Sequence, residues 1–175
     1  METTALAFGE QLESPSGNDP KVMEAAIWKI LASVEDPEIP VLSVLDLGVV
    51  RQVMITDAGI EITITPTYSG CPAMDMIAMN IKLALVAAGY KNITVTSCLS
   101  PAWTTDWMTE GGKQKLEAYG IAPPKMSTDQ AGLLPDCPQC KSSNTKLLSQ
   151  FGSTACKALY QCNDCKEPFD YFKCH

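Results

Sequence analysis

Apolar residues recur at helical spacing in two stretches of the first half of the chain. In the first stretch, Asp19-Pro20 is typical of a helix start, because Asp caps the first turn and Pro fits its first position. Its apolar positions are Met23, Ile27, Ile30, Leu31 and Val34. The pattern predicts a helix over 20–34 that ends before Pro37. A second helix is predicted from Pro72 to Gly89, a residue type common just after helix ends. Its apolar positions are Met74, Ile77, Ala78, Ile81 and Leu85.

Three further stretches have the pattern of strands. Residues 60–65 alternate strictly, with three isoleucines on one face and Glu or Thr on the other. They follow a predicted strand over 47–56 and a turn at 57–59, so the two strands form a hairpin with one buried face. Residues 92–98 are rich in β-branched side chains and predict a third strand. The order α-β-β-α-β predicts an α+β sandwich with its helices on one face of the sheet.

The second half of the chain has weaker hydrophobic periodicity and more residues that interrupt helices and strands. A short helix around Trp107 and Met108 and a helix over 109–119 are predicted, and Gly120 stops the latter. Residues 121–136 contain three prolines and little periodicity, which indicates a linker. Beyond it, three short strands are predicted over 145–151, 155–161 and 167–173. Two Cys-x-x-Cys turns lie among these strands, an arrangement typical of a zinc ribbon.

These elements divide the chain into four parts. Residues 1–18 are predicted to be a disordered tail, 19–120 an α/β domain, 121–136 the linker and 137–175 the zinc ribbon. A length of 175 residues suits one domain of about 100 residues plus a small metal module.

Composition and charge exclude several classes of function. The net charge of −7 and the lack of a basic stripe argue against nucleic-acid binding. No apolar run reaches the roughly 18 residues needed to span a bilayer, and the N-terminal segment has no export or mitochondrial signal. Eight cysteines in such a chain indicate a reducing compartment. The expected location is therefore the cytoplasm.

The strongest chemical signal is a pair of Cys-x-x-Cys motifs near the carboxyl end. Cys137 and Cys140 form one motif, Cys162 and Cys165 the other, with 21 residues between them. Two such turns supply four sulfurs for tetrahedral coordination, and a site with four protein ligands is structural rather than catalytic. Zinc is the expected metal, although iron uses the same ligands in rubredoxin-like centres. Redox-active thiol pairs are the less favoured interpretation.

Cys71 is the candidate for chemistry in the first domain. It follows Gly70 and precedes Pro72, which starts a predicted helix. The free N–H groups and the dipole of a helix start stabilise a thiolate. Such a thiolate suits nucleophilic attack or the capture of a soft metal, but an inert buried thiol is equally compatible with the spacing.

Other residues carry weaker signals. Asp36, Glu38 and Asp46 form either a carboxylate cluster or ordinary turn caps, and turn caps are favoured. Trp103 and Trp107 form either a docking patch or part of the core. Two further cysteines, Cys156 and Cys174, form either a secondary metal or redox site or buried packing thiols, and packing is favoured. With one histidine, at the last position, the chain lacks the two Glu-x-x-His pairs of a di-iron oxygenase.

Several longer motifs support a family resemblance. They are residues 36–41 (Asp-Pro-Glu-Ile-Pro-Val) with 46–48 (Asp-Leu-Gly), 65–73 (Thr-Pro-Thr-Tyr-Ser-Gly-Cys-Pro-Ala), 101–108 (Pro-Ala-Trp-Thr-Thr-Asp-Trp-Met), 151–158 (Phe-Gly-Ser-Thr-Ala-Cys-Lys-Ala) and 167–174 (Glu-Pro-Phe-Asp-Tyr-Phe-Lys-Cys). From about residue 20 to the end, the chain resembles the PaaD-type accessory proteins of the bacterial phenylacetyl-CoA epoxidase system. Its first domain is similar to the wider SufT-like family of iron–sulfur assembly factors.

The resemblance implies a function that spacing alone does not show. Members of the wider family help to assemble or deliver iron–sulfur clusters, their reactive cysteine matches Cys71, and their acidic loop matches Asp36 and Glu38. The implied role is non-catalytic maturation of the oxygenase or reductase component in aerobic phenylacetate degradation, with transient iron or a cluster as cargo. The implied partners are those components and, as a homodimer, a second copy. Two rivals stay open, namely a structural subunit that handles no iron and a thiol-dependent enzyme using Cys71.

Overall fold

The computed structural model describes residues 19–125 and 134–173. Three parts of the chain lie outside the described residues: the predicted tail over 1–18, residues 126–133 of the predicted linker, and Cys174 with His175. The helices are α1 (Pro20–Leu31), α2 (Met74–Ala87) and α3 (Glu110–Tyr119), and Thr105–Trp107 is a 3-10 turn. The strands are β1 (Val50–Thr56), β2 (Gly59–Ile64), β3 (Ile93–Ser97), β4 (Ile121–Ala122), β5 (Thr145–Ser149), β6 (Lys157–Cys162) and β7 (Pro168–Phe172). The predicted α+β class, with a small sandwich before a ribbon, is confirmed.

The first domain is built on a three-stranded sheet in the order β1-β2-β3. β1 and β2 form the predicted antiparallel hairpin, and β3 joins β2 in parallel after the α2 crossover. Ile60, Ile62 and Ile64 are buried as their alternation predicts, and they share one core with the buried residues of α1 and α2. Asp19 caps α1 by accepting a hydrogen bond from the Lys21 N–H at 3.0 Å. Helix α1 ends at Leu31, three residues before the predicted end.

The second sheet contains the ribbon and one strand that the sequence pattern places elsewhere. Its order is β4-β7-β6-β5, and β4 pairs in parallel with β7 through Ile121 and Ala122. The prediction of a linker beginning at residue 121 is therefore wrong at its start. Two residues are too few to show alternation, and the long-range pairing that orders them leaves no local signal. Both side chains are buried.

The two domains share a hydrophobic core, and Trp103 lies at their junction. Trp103 is 3% exposed, its Nε1–H donates to the Leu47 carbonyl oxygen at 2.9 Å, and its ring meets Phe172 of β7 edge to face at 6.1 Å. Trp107 lies apart from it, under the Arg51 guanidinium at 3.4 Å from the ring centroid. The docking-patch interpretation is therefore wrong for Trp103, which packs inside the protein.

Within residues 19–125 and 134–173, none of the helices is both long and apolar enough to cross a bilayer.

Candidate functional site

The four ribbon cysteines converge on one point. The Sγ atoms of Cys137, Cys140, Cys162 and Cys165 all lie within 4.8 Å of one another. The distance from Cys137 to Cys165 is 3.7 Å and that from Cys140 to Cys162 is 3.5 Å. A tetrahedral site with Zn–S bonds of about 2.3 Å has sulfur–sulfur edges of about 3.8 Å. The donor set and its spacing therefore fit a tetrahedral thiolate-bound metal ion.

Each Cys-x-x-Cys turn has the same backbone shape. Lys141 follows Cys140 with a φ of +62°, and Lys166 follows Cys165 with a φ of +69°. These left-handed residues turn the chain back after each motif. Within the second turn, the Asp164 N–H points at the Cys162 sulfur at 3.4 Å. Such N–H donors stabilise a thiolate, and they fix its direction before a metal arrives.

A carboxylate of the second turn ties the two turns together. Asp164 accepts hydrogen bonds from Ser142 Oγ at 2.5 Å and from Asn144 Nδ2 at 2.9 Å, both beside the first turn. These two side chains lower the pKa of Asp164, so the carboxylate stays ionised. The sulfur geometry is therefore supported by a surrounding polar network rather than by the metal alone.

Two sulfurs of the quartet, those of Cys162 and Cys165, have very different pKa values. Burial opposes ionisation of Cys162, yet the N–H groups of Cys165 and Asp164 and the neighbouring sulfurs lower its pKa to about 7. For Cys165, the Glu167 N–H favours the thiolate, but burial and the adjacent sulfurs raise the pKa to about 12. Four close sulfurs do not ionise together without a cation to offset their repulsion. The electrostatics therefore fit a metal-binding site as the distances do.

Cys71 lies in the loop that joins β2 to α2, and it is half-buried. Its N–H donates to the Tyr68 carbonyl oxygen at 3.1 Å, and α2 begins three residues later at Met74. The Tyr68 side chain hydrogen-bonds the Cys71 thiol, and the Ala73 N–H also donates to that sulfur. The loop thus brings one aromatic hydroxyl and one backbone donor to a single thiol.

Of the two alternatives that the spacing left open for Cys71, the surroundings of the thiol favour the protonated form. Burial raises the pKa of Cys71, and the negative charges of Glu38 and Asp36 raise it further. The Ala73 N–H and the Tyr68 hydroxyl act in the opposite direction but do not reverse the shift. Burial therefore outweighs the helix start, and the carboxylates of a distant loop add to the shift because like charges close to a buried group disfavour its ionisation.

The acidic loop contains two carboxylates that face this thiol and one that does not. Asp36 Oδ1 accepts the N–H groups of Glu38 and Ile39, both at 2.8 Å, so Asp36 shapes the turn that presents Glu38. Asp46 lies elsewhere, where it accepts from Ser43 and pairs with Lys115 at 2.6 Å. The favoured turn-cap interpretation therefore describes Asp46 and part of the role of Asp36. A direct role of Asp36 or Glu38 in iron handling stays a prediction.

Cys156 is the residue whose position sequence reasoning missed. It precedes β6 in the ribbon and is 5% exposed, and its sulfur lies 3.9 Å from Oε2 of Glu38. Thr154 Oγ1 is 3.0 Å from the same sulfur. Burial raises the pKa of Cys156, and Glu38 and Asp36 add to the shift as they do at Cys71. The charge of one carboxylate thus acts on two thiols 85 positions apart in the sequence, and no local motif predicts this arrangement.

Comparisons with known proteins match both halves of the chain. Residues 24–96 match the family model described as "Iron-sulfur cluster assembly protein", and residues 122–173 match the "PaaD zinc beta ribbon domain". The ribbon match begins at β4, in agreement with the pairing of that strand.

Related proteins and a solved structure extend these matches. The chain is 51% identical over 157 residues to a putative 1,2-phenylacetyl-CoA epoxidase subunit of Escherichia coli (strain K12), covering 89% of this chain and 94% of that protein. It is 35% identical over 95 residues to the "Fe-S protein maturation auxiliary factor" of Porphyromonas gingivalis, covering 53% of this chain and 90% of that protein. The crystal structure of a domain of unknown function (DUF59) from Bacillus anthracis superimposes with a TM-score of 0.52 at 27% identity, covering 55% of this chain and 93% of that chain. The chain therefore belongs to the PaaD family, in which an iron–sulfur-assembly domain is followed by a zinc β-ribbon.

Proposed function

We propose that this protein is a non-catalytic maturation factor that carries iron or an iron–sulfur cluster to a component of a phenylacetyl-CoA epoxidase. The observation that carries the proposal is the setting of Cys71 in the iron–sulfur-assembly domain. Its thiol lies in a loop beside carboxylates and a hydroxyl, separate from the four-sulfur site. A soft sulfur next to hard oxygen donors suits transient binding of iron.

The chemistry at Cys71 is that of a ligand that exchanges readily. The raised pKa keeps the thiol protonated until a cation neutralises the nearby carboxylates. When the cargo leaves, a proton returns to the sulfur and the repulsion from Glu38 and Asp36 again favours the neutral thiol. This balance supports release to a recipient as well as capture.

The four-sulfur site of the ribbon serves the proposal by stabilising a surface rather than by reacting. We propose zinc as its resident ion, held by Cys137, Cys140, Cys162 and Cys165 in a closed tetrahedral site. Zinc supplies folding free energy there and has no redox chemistry. The ribbon then presents β6 and β7 rigidly to the first domain.

The recipient is proposed to be the oxygenase or the reductase component, in the cytoplasm. Support comes from the name of the 51% identical relative, which describes an epoxidase subunit. The outward face of α2, which follows Cys71, also exposes apolar side chains: Met76, Met79, Leu83 and Val86, each more than half exposed. Apolar faces of this size are typical of proteins that bind other proteins. The homodimer stays a prediction.

The proposal is tested by measuring iron and sulfide in epoxidase components purified from cells that lack this protein. Complementation with the wild-type chain is expected to restore normal loading of at least one component. Complementation with Cys71→Ser is expected to leave that component short of iron. The control Cys98→Ser, which alters a thiol that donates a hydrogen bond to the Ser100 carbonyl oxygen, is expected to restore normal loading. Normal loading in the absence of the protein would contradict the maturation role.

A structural subunit is the second candidate, because the related protein is described as a subunit. A structural subunit works at fixed stoichiometry, whereas a maturation factor restores many equivalents of its recipient. Substoichiometric protein that restores full iron content would exclude the structural role. An intact epoxidase complex with normal iron in cells carrying Cys71→Ser would favour it instead.

A further inference from the structure

The junction between the two domains brings together sulfur and oxygen ligands that neither domain holds alone. Cys71 comes from the β2–α2 loop, Glu38 from the loop after α1, and Cys156 from the ribbon. The Cys156 sulfur lies 3.9 Å from Glu38 Oε2, and the charge of Glu38 acts on the thiols of both cysteines. Tyr68 interacts with all three groups.

We propose that Cys156 is a second thiolate ligand for the cargo, and that Cys71, Cys156 and Glu38 form one thiophilic divalent-cation site shared by the two domains. This inference rests on the proposed function for the identity of the cargo, but not for the existence of the site. It assigns to the ribbon a reactive role besides its structural one.

Charge at the junction favours a cation. Asp36 and Glu38 both act on the two thiols, and Lys157 acts in the opposite sense on Asp36 and Cys156. Lys157 is 5% exposed and already lies 3.7 Å from the carboxylate of Asp170. This ammonium group therefore offsets only part of the negative charge at the junction. Binding of a divalent ion balances this excess of negative charge.

The arrangement favours exchange over permanent binding. Among the described residues, the ribbon quartet is the only group of three or more metal-ligand side chains whose donor atoms all lie within 4.8 Å. The junction ligands must therefore rotate to close on an ion, and they separate again when it leaves. Binding replaces two S–H bonds with two metal–sulfur bonds and releases two protons to solvent, with no change in oxidation state.

Hydrogen bonds in both domains hold the proposed ligands in position. The Asp36 side chain holds the Glu38 N–H at 2.8 Å, and the Lys173 N–H donates to the Cys156 carbonyl oxygen at 2.9 Å. Thr154 Oγ1 reaches the Cys156 sulfur at 3.0 Å. Asp36 and Thr154 are positioning residues in this account. A thiol that merely fills a cavity needs no such polar neighbours.

The site is tested by titrating cobalt(II) into the purified full-length chain with its ribbon metal in place. Wild type is expected to bind one further equivalent, with sulfur-to-cobalt charge-transfer absorption and two sulfur ligands counted by X-ray absorption. Cys156→Ala is expected to retain one sulfur ligand and to lose more affinity than the roughly 10-fold to 100-fold that removal of an outer-shell partner costs. One sulfur ligand in wild type would overturn the inference without any variant.

One control and one further ligand variant complete the test of the shared site. Cys98→Ser, which alters a thiol outside the junction, is expected to bind cobalt as wild type does. Glu38→Gln keeps the side-chain shape but removes a charged ligand, so it is expected to weaken binding by more than the roughly tenfold that loss of a supporting partner costs. Melting curves confirm folding of each variant, and Cys156→Ala avoids burying a hydroxyl. Unchanged cobalt affinity in folded Cys156→Ala contradicts the proposed site.

Failure of the shared site can be distinguished from failure of the maturation proposal. If Cys71→Ser abolishes iron delivery while Cys156→Ala binds cobalt and delivers iron normally, the maturation role stands and the shared site is wrong. If cobalt binding requires both cysteines but iron delivery requires neither, the shared site stands and the maturation role is wrong.

Discussion

The four-sulfur site of the ribbon and the thiols at the domain junction differ in how far their ligands are arranged in advance. In the ribbon, the sulfurs converge within 4.8 Å, backbone N–H groups point at them, and Asp164 links the two turns. At the junction, Cys71 and Cys156 flank Glu38 and both have raised pKa values. A preorganised, closed set of ligands retains its ion, whereas a looser set with protonated thiols exchanges it. In the proposed function, one small chain thus combines a permanent and a transient sulfur site.

The largest expected effect follows from breaking the permanent site. Cys162→Ser removes a fully buried sulfur ligand, and structural zinc contributes an apparent binding free energy of about 10 kcal/mol or more to folding. We expect the variant to lose its bound metal and the cooperative unfolding of the ribbon. Metal analysis and thermal melting monitored by circular dichroism measure both. An unchanged melting curve would show that the ribbon does not depend on its ion.

The second-largest effect is expected from weakening the packing between the two domains. Trp103→Ala removes the ring contact with Phe172 and the hydrogen bond to the Leu47 carbonyl oxygen. We expect it to lower the free energy of unfolding by about 3–5 kcal/mol. Because the junction site needs both domains in place, cobalt binding there is expected to weaken as well. Trp103→Phe, which keeps an aromatic ring, is the matched control with a smaller loss. Denaturant unfolding measures the difference, and equal stability of the two variants would contradict this packing role.

A smaller effect is expected from the loop that carries Cys156. A Cβ added at Gly152 would lie 2.5 Å from Asp170 Oδ1 and 3.2 Å from Lys157 Cβ. Gly152→Ala therefore crowds Asp170, and we expect a loss of about 1–3 kcal/mol. Gly111→Ala is the control, since the nearest atom to its Cβ is 3.9 Å away and Ala favours helix α3. If both variants melt at the wild-type temperature, Gly152 does not constrain this loop.

An ion pair outside both sites gives a pH-dependent reference. Burial opposes ionisation of Asp46, but Lys115 and Ser43 outweigh it and lower its pKa below the ordinary value of 3.8. The folded pKa is depressed, so the stabilisation is complete above the unfolded value and is lost as pH falls through the folded value. Asp46→Asn is expected to cost about 1–2 kcal/mol near neutral pH. Unfolding free energies of both proteins measured from about pH 7 to about pH 2 should converge below about pH 4, and a constant difference would contradict this assignment.

The smallest effect concerns the reactivity of Cys71. Because burial and the nearby carboxylates raise its pKa, iodoacetamide should alkylate it more slowly at neutral pH than an ordinary thiol, with a rate that increases as pH rises. Glu38→Gln removes one negative charge and should accelerate alkylation at neutral pH several-fold, since a shift of one pKa unit changes the thiolate fraction about tenfold. Peptide mass mapping follows each cysteine. Rates equal in both proteins would show that Glu38 does not act on this thiol.

The sequence predicts the elements whose signals are local. The alternation of residues 60–65 and the apolar spacing of α2 reflect burial against a single face, so period alone identifies them. The two Cys-x-x-Cys turns are likewise recognisable, because each turn brings its two sulfurs together without help from distant residues. What depends on long-range contact is not predicted: the pairing of the two β4 residues and the position of Cys156 beside Glu38. For Trp103, the sequence left core packing and a docking patch equally open. The spacing around Cys71 left its protonation state open for the same reason, since its pKa is raised by burial and by carboxylates more than thirty positions away.

The most direct test of the account is to follow labelled iron from this protein to an iron-free epoxidase component. The full-length chain is loaded with labelled ferrous iron, mixed with the iron-free oxygenase or reductase, and separated from it, and then the label in each protein is counted. We expect the label to move to one component from wild type and from Cys98→Ser but not from Cys71→Ser, while the ribbon metal stays in place. Equal transfer from Cys71→Ser, or retention of all label by wild type, would contradict the account.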